Sequence, residues 1–67
     1  MSIPPKISMT AARVNARLSQ REAAKALNIT PATLRNWESG ITMPSVAKAA
    51  EMAMLYNYPI EYIFFGK

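Results

Sequence analysis

The stretch from Leu18 to Gly40, LSQREAAKALNITPATLRNWESG, constrains the fold of this chain more than any other, because its residues prescribe two short helices and a tight turn between them. Ser19 is followed three residues later by Glu22, the spacing at which the hydroxyl caps one unpaired backbone donor of a helix start and the carboxylate returns to another. A helix is therefore expected from about 20 to 27. At about 100° per residue, Gln20, Ala23, Ala24 and Leu27 share one face, and Arg21, Glu22, Lys25 and Ala26 lie on the other. An inner stripe this small invites close approach of a second helix, with Ala24 at the contact.

Asn28 is expected to end that helix, since asparagine tolerates the left-handed conformation needed where a chain leaves a helix sharply. Ile29 anchors the turn. Thr30 and Pro31 restart the chain as N-cap and first helical residue, where the missing N–H of proline costs nothing. The second helix, about 31 to 39, puts Leu34 and Trp37 on one face and Ala32, Arg35 and Asn36 on the opposite one, with Pro31 and Thr33 at the margins. Gly40 closes it. A short helix that is apolar inside and carries small, amide and guanidinium side chains outside fits a DNA major groove, although such a face is also what an ordinary solvated surface looks like.

The whole cadence resembles the lambdoid-phage repressor and Cro family, also called the XRE family, of helix-turn-helix DNA-binding proteins. The leading glutamine of that family appears as Gln20, its small packing residue as Ala24, and its apolar anchors as Ala23, Leu27, Ile29, Leu34 and Trp37. Its closing Glu-x-Gly appears as Glu38-Ser39-Gly40, and Asn28 stands where the family most often has glycine. The resemblance runs from about Ile7 to Phe64 and implies an all-α fold, a compact five-helix lambda-repressor-like domain over 8–67 behind an N-terminal arm, 1–7. Pro4-Pro5 marks that arm as extended. The first helix is expected over Ser8 to Arg17, with Ala11, Val14 and Leu18 inward. The fourth follows the capped start Pro44-Ser45 to about Asn57, with Val46, Ala49, Ala50, Ala53 and Tyr56 inward, and Pro59 opens a last short helix, Ile60 to Phe64.

The resemblance also implies that an arginine of the first helix, here Arg13, pairs with the glutamate ending the recognition helix, here Glu38. We take this pair as structural, because a partly buried ion pair fixes geometry more reliably than it adds stability. Ala24, Leu34 and Trp37 are the other structural residues of the motif.

Sixty-seven residues allow one small domain, without room for a separate catalytic or ligand-binding domain. With 51% hydrophobic residues the chain can build a helical core, though a chain this small often gains from oligomerisation. There is no cysteine and no histidine, which excludes disulfides, removes the usual general base and argues against a zinc site. No glycine-rich phosphate loop and no aspartate are present either, so an enzyme is not expected, and neither a cofactor nor a metal. The longest apolar runs are broken by Glu51, Asn57, Pro59 and Glu61, short of the roughly 18 uninterrupted residues of a membrane span. Met-Ser-Ile-Pro-Pro has no apolar signal core, and a cytoplasmic, nucleoid-associated protein is expected.

The net charge of +4 suits a polyanionic partner, and its distribution says more than its size. Arg17, Arg21, Lys25 and Arg35 fall in or beside the motif, whereas Glu38, Glu51 and Glu61 lie at or beyond the end of its second helix. Phosphate contacts position such a domain and base contacts specify its sequence. For phosphates we name Gln20, at the start of the first motif helix, with Ser19, Asn36, Ser39 and Thr42 at matching family positions and Arg17 and Lys25 beside them. The capping role of Ser19 also explains that residue fully. For bases we name Ala32, Thr33, Arg35 and Asn36. Arginine can bridge the two acceptors of guanine, an amide can pair with adenine, and alanine or a threonine methyl can touch the thymine methyl. Arg35 is the sharpest of these, with a phosphate contact as its alternative. The loop Ile41-Thr42-Met43 is poorer in charge than the family usually shows.

A single domain with few basic contacts binds weakly, and a homodimer on a pseudo-palindromic site is the usual remedy. Met52, Met54, Leu55, Tyr58, Tyr62, Phe64 and Phe65 form a candidate dimer surface. Alternatively Tyr56, Ile60 and Ile63 fill the core and the aromatics cap it. The expectation is a sequence-specific transcriptional regulator, a phage or prophage Cro-like repressor that occupies double-stranded operator DNA and excludes polymerase, with a competing or antagonist regulator as a further partner. The alternative is a protein-binding module of the same fold, an antirepressor or antitoxin acting through its apolar C-terminal surface. Neither reading involves a membrane.

Overall fold

The computed structural model describes residues 3–66. Met1, Ser2 and Lys67, the ends of the expected arm and domain, lie outside the described residues. The order is a two-residue strand β1 (Ile7–Ser8), helices α1 (Met9–Asn15), α2 (Gln20–Ala26), α3 (Pro31–Glu38) and α4 (Val46–Leu55), a single 3₁₀ turn (Ile60–Tyr62) and a second short strand β2 (Ile63–Phe64).

Every α-helix starts on a hydroxyl cap. Ser8, Ser19, Thr30 and Ser45 each accept from the backbone N–H three residues on, at 3.0, 3.0, 3.2 and 3.1 Å. At α2 the box is complete, because the Ser19 N–H donates to Glu22 Oε1 at 2.9 Å. Hydrogen bonding to the carboxylate, from the Ser19 N–H first and the Ser19 side chain second, holds the Glu22 carboxyl below its ordinary pKa.

Every α-helix also ends in the same way. A residue with positive φ follows the cap (Arg17 at 62°, Asn28 at 59°, Gly40 at 82°, Asn57 at 53°), and the next amide returns to the carbonyl five residues back. The amides that return are those of Leu18, Ile29, Ile41 and Tyr58. Leu18, Ile29 and Tyr58 pack against the core, whereas Ile41 is exposed. Asn28 and Gly40 thus serve as the sequence suggested.

The core is Met9, Ala12, Ala23, Ala24, Leu27, Leu34, Trp37, Met52, Ala53, Tyr56 and Ile63. Ala23 and Ala24 are fully buried where α2 meets α3, so the short side chains set the distance between the two helices.

Four expectations are corrected. The fold has four α-helices, not five, because Ile60–Phe64 makes only one 3₁₀ turn before extending. Tyr62-Ile63-Phe64-Phe65 is an unbroken aromatic and β-branched run with no helical period, and it joins a two-stranded parallel sheet in the register Ile7↔Ile63, Ser8↔Phe64. In α1 the buried residues are Met9, Ala12 and Arg13, whereas Ala11 is only half-buried and Val14 is 57% exposed. Leu18 does turn inward, though from the loop after the helix, and Arg17 too lies beyond the last helical residue. The reason is Arg13: its partner lies inside, so the buried stripe includes a charged residue and apolar Val14 is turned out.

In α4 the inner stripe is Ala49, Met52, Ala53 and Tyr56, and Val46, at 85% exposure, and Ala50 point to solvent. Ala53 and Tyr56 fit either phase of the helix, and burying Met52 gains more than burying Ala50. Met52 therefore leaves the candidate dimer surface. Of the remaining members Leu55, Tyr58 and Phe65 pack partly against the core, Tyr62 is half-buried, and Met54 and Phe64 are exposed. As for the residues named as core filling, Tyr56 and Ile63 are buried and Ile60 is partly exposed.

The segment before α1 is fastened to the segment after α4. Besides the strand pairing, the Tyr58 hydroxyl donates to the Pro5 carbonyl, and Lys6 Nζ sits 5.5 Å from the Phe64 ring centroid. Among the described residues no helix is long and apolar enough to cross a membrane.

Candidate nucleic-acid interface

Helix α3 is eight residues long, too short to persist by itself, so its orientation comes from what it buries. Leu34 and Trp37 are buried; Ala32, Arg35 and Asn36 are exposed on the other side, and Thr33 is half-buried. The hydroxyls of Thr30 and Thr33 are 2.9 Å apart and share one hydrogen bond, which fixes the start of the helix. At its end, the Asn36 carbonyl accepts from the amides of Ile41 and Thr42 at 3.0 and 3.3 Å and from Ser39 Oγ at 3.3 Å. One backbone oxygen thereby holds Ser39 and Thr42 at the end of the helix that carries Arg35.

The back of this face rests on a buried polar cluster. Arg13 Nε donates to Glu38 Oε2 at 2.7 Å, Nη2 to Oε1 at 3.3 Å, and Nη1 to the Leu18 carbonyl at 2.8 Å. Side-chain exposure is 11% for Arg13 and 6% for Glu38. The family resemblance pointed to this pair but not to its third member: the Gln20 amide donates to Glu38 Oε1 at 2.9 Å. The bond spends one N–H of that amide and leaves the other for a ligand. The first residue of α2 is thus tied to the last of α3 by a direct side-chain bond.

Tyr56 reaches the same cluster. Its hydroxyl is buried and finds no hydrogen-bond partner among the described residues. Its pKa is pushed up to about 12, by burial first and by the Glu38 charge second, with the Arg13 charge opposing the rise. Because the folded value lies above the ordinary one, this group's contribution is fully present below about pH 10 and is lost as pH rises toward 12. Tyr56→Phe is expected to be neutral or to stabilise by about 1 kcal/mol at pH 7, since it deletes an unsatisfied polar atom. It should also remove part of the alkaline loss of stability. Chemical denaturation at neutral and at high pH measures both, and a loss well above 1 kcal/mol at pH 7 would show that the hydroxyl has a partner.

Sequence reasoning missed Lys48. Its Nζ donates to the Leu27 carbonyl at 2.6 Å, at the end of α2, and pairs with Glu51 at 3.3 Å. A cation on the last carbonyls of a helix is favourable. Its only signal in the sequence is that it is the one basic residue of α4. Arg17, Arg21, Lys25 and Arg35 are by contrast exposed and without an ion pair among the described residues. These four uncommitted positive charges lie on the α1–α2 loop, on α2 and on α3. Ser19 is exposed as well, with its hydroxyl committed to the cap.

A helix-turn-helix family model matches residues 9–63, from the first residue of α1 to the first of β2. No curated protein and no solved structure matches the chain.

Proposed function

Because the chain belongs to the XRE type of helix-turn-helix DNA-binding transcription regulators, we propose that it is a Cro-like repressor whose α3 enters the major groove of a pseudo-palindromic operator. The observation that carries this reading is the outer face of α3, where Ala32, Arg35 and Asn36 are exposed opposite Leu34 and Trp37 and Arg35 is uncommitted. Arg35 bridges guanine, Asn36 pairs with adenine or approaches the backbone, and Ala32 with Thr33 lines the groove beside a thymine methyl. Gln20, Ser19, Ser39, Thr42 and Lys25 contact phosphates, with Arg17 beside them.

Selection of the purified protein on random duplexes at about 150 mM salt, followed by sequencing, tests the reading. An enriched pseudo-palindrome with half-sites about one helical turn apart supports a dimeric repressor, and no enrichment counts against specific binding. On the selected site, Arg35→Ala is expected to cost about 1–3 kcal/mol and to relax preference at one base pair. Uniform weakening with a shallower salt slope instead makes Arg35 a phosphate contact.

A second reading draws on the C-terminal side, where Met54, 83% exposed, lines a groove with Ala50, Ala53, Tyr58 and Ile60, and where Phe64 is 52% exposed. Such a surface suits a homodimer on DNA or, in a protein-binding module, another protein. Light scattering with and without the selected duplex separates the two: two copies per site favour the homodimer, and a monomer with feeble DNA affinity favours the module.

A further inference from the structure

The four helix ends use one backbone device with one unusual occupant. Asn28, Gly40 and Asn57 are residues that the left-handed region accepts, whereas Arg17, at φ 62°, is not. Its side chain is exposed and has no ion pair among the described residues. A cation near the last carbonyls of α1 is favourable, but that gain is smaller than the cost of a left-handed conformation for a side chain of this size. Stability alone would place glycine or asparagine here.

The position of the strained residue supplies a reason for it. Arg17 precedes Leu18, whose carbonyl takes Arg13 Nη1, and lies three residues before Gln20, whose amide is bonded to Glu38 at the end of α3. The loop that carries it is therefore anchored to the same cluster that orients α3.

We infer that Arg17 binds the phosphate backbone of duplex DNA and is retained there at the expense of fold stability. The inference rests on the DNA-binding reading above and adds a trade-off to it. Stored backbone strain of this kind concentrates at functional sites, and an uncommitted arginine is a bidentate phosphate ligand.

Arg17→Gly and Arg17→Lys test it, with thermal unfolding and with affinity for a mixed-sequence duplex as a function of salt. Arg17→Gly is expected to raise Tm by a few degrees, to weaken binding several-fold at low salt, and to flatten the slope of log K against log salt by about 0.9 per protomer. Arg17→Lys is expected to keep the parental slope and Tm. A glycine variant with the parental slope overturns the phosphate role, and one with a lower Tm overturns the trade-off, because the arginine then stabilises the fold. If the parental protein shows no salt-dependent duplex binding, the DNA-binding reading itself fails and this inference with it. Parental binding with an unchanged glycine variant removes Arg17 alone.

Discussion

Arg13→Ala is expected to destabilise the domain by about 3–5 kcal/mol, which for 67 residues is of the order of its entire stability. The loss does not come from the attraction of the pair, which desolvation largely offsets. It comes from Glu38, which is left as a carboxylate at 6% exposure with only the Gln20 amide for company, and from the Leu18 carbonyl, which loses its donor. The paired replacement Arg13→Met with Glu38→Leu removes both charges together, and it is expected to recover most of the stability. Urea titrations of the two single variants and the double variant measure the coupling. If Arg13→Ala costs less than about 1 kcal/mol, or if the double variant is as unstable as the worse single one, the cluster is not held as described. DNA binding adds a second readout, because Gln20 is positioned through Glu38 and the apolar pair removes that support even where the fold survives.

Leu34→Ala is the other large effect, about 2–5 kcal/mol. Leu34 is fully buried, and with Trp37 it is what α3 buries, so the missing methyl groups leave a cavity on one side of an eight-residue helix. The cost falls at the low end if α3 collapses inward and at the high end if the fully buried Ala23 and Ala24 prevent closer approach. We expect the high end. Two alanines already bring α2 near its limit, and the caps at Thr30 and Gly40 fix both ends of α3. A stability loss under about 1 kcal/mol would mean that α3 is held by its ends and not by its buried face. Because Leu34 lies opposite Arg35 and Asn36, the fraction of variant that remains folded should keep its base preference.

The parts of this structure that could be read in advance all depend on a few consecutive residues. Ser8, Ser19, Thr30 and Ser45 announce helix starts because a hydroxyl needs only the amide three residues on. Asn28 and Gly40 announce helix ends because only the local backbone decides whether a left-handed residue is tolerated. The outer face of α3 followed from the same arithmetic, since Leu34 and Trp37 leave one choice of inner side. What was misread depended on a partner far along the chain. Val14 and Val46 looked like inner residues because apolar side chains usually are. The inner phase of α1 is instead set by a glutamate 25 residues away, and that of α4 by the fit of Met52 into space left by the other helices. The link from Gln20 to Glu38 and that from Lys48 to Leu27 span 18 and 21 residues, and spacing along the chain names neither partner.

By itself, then, the sequence determined where four helices begin, where the two of the motif end, and which side chains α3 turns outward, because capping, left-handed turns and the 3.6-residue period act over one or two turns of chain. Tertiary structure decided the rotation of α1 and α4 about their axes, the conversion of an expected fifth helix into a strand beside Ile7–Ser8, and the cluster that ties α2 to α3. Those outcomes are set by which distant groups meet. A buried charge needs its partner and a strand needs its neighbour, and neither requirement leaves a mark on nearby residues.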